Sequence, residues 1–130
     1  MIHTSELRWG NSILQKKNGR IQAVSCGGEQ FGLLAQGQPA DLYPIVLKAE
    51  VLLQQGFTEN KEYALYPQAR EFRRVLAVKG KGHHELLAYV KSNGECLAWA
   101  NTDGVVSSNP VFQLHQLQNL HHALTGTELL

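Results

Sequence analysis

Six histidines are the first residues of this chain that could do chemistry. His83-His84 and His121-His122 come as adjacent pairs. Neighbours on a strand or helix point in different directions, so one metal would need a member of each pair plus an Asp, Glu or Cys brought in by the fold. No HExxH or CxxC spacing is present, and the sequence argues for no metal site and no cofactor. Cys26 beside Gly27-Gly28 has the form of a nucleophile in a glycine-rich turn, with a distant histidine as its base. The simpler reading is a small buried residue at a turn. The same glycines lack the GxxxxGK[ST] and GxGxxG phosphate-loop patterns, and the carboxylates form no acid–base pair. A small enzyme with a composite His/Cys site is therefore the least supported function, and non-enzymatic binding is the expectation.

Two features could bind rather than react. Arg70, Arg73, Arg74, Lys79 and Lys81 are opposed locally only by Glu71, and Lys16, Lys17 and Arg20 sit on an earlier hairpin. Together they make a nucleic-acid-binding module the alternative function. Strand alternation sends Arg73 and Arg74 to opposite faces, however, and an edge strand guarded by charge explains the same residues. Trp9, Tyr63, Tyr66 and Trp99 could stack a base, although a small domain places most aromatics in its core. The second feature is the polar side of the last helix. His115, Gln118, Asn119 and His122 offer directional donors and acceptors to a ligand, a partner or a symmetry mate, or else face solvent.

Periodicity supplies the elements that position these residues. Ser12–Gln15 and Arg20–Val24 flank Asn18-Gly19, a strong hairpin signal, and Phe31–Ala35 reads as a third strand of a small barrel-like meander. Val46–Gln55 reads as a short central helix closed by Gly56. Glu62–Tyr66, Glu71–Lys79, His84–Val90 and Glu95–Ala100 read as an antiparallel sheet with turns at Gly80–Gly82, Asn93-Gly94 and Asp103-Gly104. The last helix is expected to start at a Ser108 or Asn109 cap with Pro110 in its first position. Leu114, Leu117, Leu120 and Leu124 form its apolar stripe, and Gly126 stops it. The sum is one α+β domain over residues 1–130, with the terminal helix packed on the sheet.

At 130 residues with 43% hydrophobic and 18% charged content, the chain can bury a core and is not disordered. A net charge of +1 gives no global attraction to nucleic acid or membrane. No apolar run is long enough to cross a membrane, and the first residues lack a secretory signal, so the expected location is the cytoplasm of a bacterium or a phage-infected cell. Cys26 and Cys96 then read as free, buried thiols.

The segment Leu114–Leu120, with Ala123–Leu129, resembles a terminus shared by short proteins of Bacteroidota, many of them encoded by phages or prophages. Glu6–Asn11 is similar to that family's opening ELRxGN pattern. Tyr43-Pro44-Ile45, running through Leu47–Leu53 to Gly56-Phe57, is similar to its mid-chain segment. The family carries tyrosine or phenylalanine where this chain has His121 and His122, which implies that at least one of them fills an aromatic slot. The resemblance implies a mobile-element accessory protein, acting against host defence by gripping a host protein or sequestering a small signalling molecule. A homodimer is compatible with exposed hairpin edges.

Overall fold

Asn18 and Gly19 both take positive φ, 53° and 75°, the backbone of a tight two-residue hairpin. That turn folds β1 (Ser12–Lys17) back on β2 (Arg20–Ser25), with Ser12 opposite Ser25 and Lys17 opposite Arg20. A computed structural model describes residues 7–35, 42–60, 69–77 and 82–129. The expected strand over 62–66 lies outside these, as do Lys79 and Lys81.

Phe31–Ala35 is not a strand. It belongs to the helix α1 (Gly28–Ala35), whose start is fixed when the Gln30 side chain accepts the Gly27 N–H at 2.9 Å. A five-residue apolar run fits either period, and this local bond selects the helix. The third strand is instead β3 (Leu42–Tyr43), which pairs with the other edge of β1 to give the order β2-β1-β3.

The helix α2 (Ala49–Gln54) starts later than its sequence pattern but ends as expected. Gly56, at φ 84°, donates to the Leu53 carbonyl, and Phe57 donates to that of Leu52 at 3.0 Å. These two bonds make a Schellman stop, and Phe57 buries itself beside Leu52. Five antiparallel strands follow in sequence order: β4 (Thr58–Asn60), β5 (Arg70–Leu76), β6 (His84–Val90), β7 (Cys96–Thr102) and β8 (Val105–Val106). Phe72, Leu86, Ala88, Ala98 and Ala100 form the inner face and pack against α2 and the helix α3 (Leu114–Thr125).

The start of α3 differs from the sequence expectation. Val111 exchanges both backbone bonds with Ala98, and Gln113 bridges Val46, so Pro110 lies outside the helix. Leu114 is the first helical residue, and the Gln116 side chain reaches back to accept the Phe112 N–H at 3.1 Å. The end is as expected, with Gly126 at φ 73° in the left-handed conformation. Among the described residues, no helix is long and apolar enough to cross a membrane.

A smaller apolar cluster of Ile13, Cys26 and Leu42, with Phe31 and Leu34 packed on it, lies under the three-stranded sheet. The two clusters meet across polar rather than apolar side chains, and α3 supplies them from one side.

Candidate functional site

The polar side of α3 is packed, not solvated. Gln118 Oε1 accepts the Ser12 N–H at 2.7 Å, and Gln118 Nε2 donates to Ser12 Oγ at 3.0 Å. Asn119 Oδ1 accepts from Asn11 Nδ2 at 2.8 Å and from Arg8 Nε at 3.2 Å. Arg8 also forms a two-pronged ion pair with Glu128, which holds the Glu128 carboxyl below its ordinary range. His115 is fully buried and His122 half-buried. Of the four candidates on this helix, Gln118 fastens α3 to β1 and Asn119 fastens it to the residues just before β1. The residues Arg8 and Asn11 of the opening pattern and Gln118, Asn119 and Glu128 of the terminal pattern, 108 positions apart at Asn11 and Asn119, meet in this one seam.

The basic segment is dispersed in the same way. Arg73 and Arg74 fall on opposite faces of β5, as alternation requires. Arg73 Nε donates to Glu71 Oε1 at 3.1 Å and approaches Glu85 at 3.8 Å. Arg74 donates to the Gln55 carbonyl at the end of α2 and lines a second cavity of about 380 Å³ with His121, Thr127 and Glu128. Arg70 is forked onto Glu59 at 2.8 and 3.0 Å and lies over the Phe72 ring. The described arginines of this segment thus each hold an internal partner.

Cys26 and Cys96 are free, buried and in different apolar clusters. Burial pushes the Cys26 thiol up and the Cys96 thiol up to about 11, so both stay protonated at neutral pH. Gly27 and Gly28 form the floor for Trp9, whose ring stacks on Phe31 with centroids 6.0 Å apart. Among the described residues, no group of three His, Cys, Asp or Glu gathers as a metal site.

A recess opens on the other side of the five-stranded sheet. Here the register aligns three cross-strand rows: Glu71, Tyr89 and Leu97; then Arg73, Leu87 and Trp99; then Glu85, Asn101 and Val106. Leu87, Leu97, Tyr89, Trp99, Asn101 and Val106 line a cavity of about 710 Å³. Tyr89 and Trp99 meet edge to face, centroids 5.0 Å apart at 63°. The indole N–H donates to Asn101 Oδ1 at 2.9 Å. Two hairpins form the ends. Asp103 and Gly104, at φ 51° and 80°, fold β8 back so that Val106 stands beside Asn101. At the other end the Asn93-Gly94 turn presents Lys91 and Ser92. Next to the cavity on the same face, Glu71 is fully buried, and its Oε2 has no hydrogen-bond partner among the described residues.

Of these lining residues the sequence reading singled out only Trp99. The missed signal is that β6 and β7 are apolar on both faces, with Leu97 and Trp99 alternating against Ala98 and Ala100. A strand with large side chains on one face and alanines on the other implies a second covered face. Compared with protein-family models, curated proteins and solved structures, the chain matches none.

Proposed function

We propose that this protein is a non-enzymatic binding protein that holds a small molecule in the recess on the outer face of its five-stranded sheet. The observation that carries this reading is the cavity itself: about 710 Å³, walled by Leu87, Leu97, Val106, Tyr89 and Trp99, with few polar groups. Ligand sites have this size and this mixture of apolar wall and sparse, fixed polar groups. The protonated, buried thiols offer no activated nucleophile, and the partnered arginines offer little free charge to phosphates. Sequestration of a small signalling molecule by a mobile-element accessory protein is the biological form such binding would take.

The test is a thermal-shift screen of small metabolites, followed by native mass spectrometry of the hits. A ligand at a hundred times its Kd adds about 2.7 kcal/mol of stability, which raises Tm on the order of 10 °C for a domain of this size. Leu97→Arg, which fills the recess with charge, should abolish that rise while the free protein still unfolds cooperatively. Hits that persist undiminished in Leu97→Arg would remove the recess as the binding site.

A further inference from the structure

We infer that the recess selects a flat, uncharged ring that carries a hydrogen-bond acceptor, and that Asn101 reads that acceptor; this rests on the recess being a ligand site. Asn101 is 8% exposed, lies in β7 between Glu85 of β6 and Val106 of β8, and lines the cavity. An indole N–H can only donate, so Trp99 fixes which end of the Asn101 amide it meets. The oxygen is committed to Trp99, and the amide nitrogen, with two N–H donors, makes no hydrogen bond among the described residues. Its N–H donors are therefore free to meet an acceptor seated in the recess, and an occupant that covered them without accepting would leave buried donors unmet. The neighbouring Glu85 carboxylate faces Arg73 at 3.8 Å and His83 at 3.7 Å.

The rest of the wall sets the shape and polarity of the occupant. Trp99 lies beside the amide, Tyr89 meets Trp99 edge to face further along the recess, and Leu87, Leu97 and Val106 add aliphatic surface, which together suit a planar, largely apolar ring. The cationic Lys91 stands opposite Glu95, six residues before Asn101 along the strand, a separation of about 20 Å. It pairs with Glu95 at 3.5 Å. Arg73, in the adjacent row, is held by Glu71 at 3.1 Å and Glu85 at 3.8 Å, so a ring seated at Asn101 meets the amide donors rather than an unpaired positive charge, and a carbonyl oxygen or an unprotonated ring nitrogen is the matching group. An N–H of indole type directed at the same place would oppose donor to donor.

Two bicyclic probes of nearly equal size separate these cases. Quinoline carries a ring nitrogen that accepts, and indole carries an N–H that donates. Affinities are measured by ligand-observed NMR titration at pH 7.5, and the Asn101 side-chain amide is followed in a ¹⁵N-correlated spectrum. Quinoline is expected to bind about tenfold or more tighter than indole, a factor within the cost of an unmet buried donor, and to shift the Asn101 amide signals. Asn101→Asp keeps an oxygen for Trp99 but replaces both donors with an acceptor, and should reverse the preference. If that variant does not fold, Asn101→Ser and the wild-type amide shifts decide the question. Equal binding of both probes, with the Asn101 amide unmoved, would overturn the assignment while leaving the recess as a ligand site. Failure of both probes, together with an empty metabolite screen, would overturn both readings.

Discussion

His121 shows how burial changes what a histidine can do. It is buried in α3 and hydrogen-bonded from Nδ1 to the Thr127 carbonyl at 3.1 Å. Desolvation pulls its pKa below the ordinary 6.5, because the charged ring loses water on folding. The unfolded chain, which keeps the ordinary value, therefore takes up a proton before the native protein does. His121 contributes its full stability above pH 6.5 and loses it as pH falls from there through the folded value. Unfolding free energies from urea titrations between pH 7.5 and pH 5 should fall with pH, with a slope of at most about 1.4 kcal/mol per pH unit from this group. His121→Gln should flatten that slope, and an unchanged slope would assign it elsewhere. The pairing of adjacent histidines was legible in the sequence, but which of them is buried was not. That depends on the rotation of α3 against two sheets at once. Asn101 was illegible for a similar reason, since its role comes from a cross-strand row and a contact with Trp99 two residues away.

At the level of elements, the sequence disclosed those that carry strong local signals. Two Asn-Gly hairpins, the glycine stops of α2 and α3, and the long strands β5, β6 and β7 stand where turn chemistry and alternation put them. The errors fall where local signals were weak or outvoted. Phe31–Ala35 is too short to declare its period, and β3 is only two residues long. Pro110 was overridden because Val111 and Gln113 are held by backbone bridges to Ala98 and Val46. On the polar face of α3, Gln118 bonds Ser12 of β1 and Asn119 bonds Arg8 and Asn11 just before it, partners that no local pattern discloses. The reciprocal bonds between Gln118 and Ser12 make this measurable. In a double-mutant cycle of Ser12→Ala and Gln118→Ala, the coupling should be about 1 kcal/mol, within the range for residues sharing a hydrogen-bond network. Each single change should cost stability, Gln118→Ala more, because it also leaves the Ser12 N–H without its acceptor. Strict additivity would mean that the bond between Gln118 and the Ser12 hydroxyl adds nothing to the seam.

Across the whole molecule, the α+β architecture was readable because its long elements are amphipathic and follow one another as neighbours. That it contains two apolar clusters joined by a polar seam was not, since side chains far apart in sequence build the joint. The smaller cluster, around Ile13, Cys26 and Leu42, has less apolar surface to hold it closed than the one beneath the five-stranded sheet. In native-state hydrogen exchange, amides of β1 and β2 should open at lower free energy than those of β6 and β7. Gln118→Ala should widen that gap, whereas uniform protection across both sheets would identify one cooperative unit. The seam also has a consequence for biosynthesis. Ser12 and Gln118 are 106 positions apart, an interval of roughly 5 to 20 seconds at ribosomal elongation rates. The first hairpin leaves the ribosome well before its fastening helix has been translated. During that interval Ile13 has α1 and β3 to cover it, but Ser12 lacks its Gln118 partner and the exposed edge of β2 is already formed. Messages that pause translation between the two would prolong that state, and those that end before the codon for Leu114 would release chains whose first sheet never gains its fastening helix.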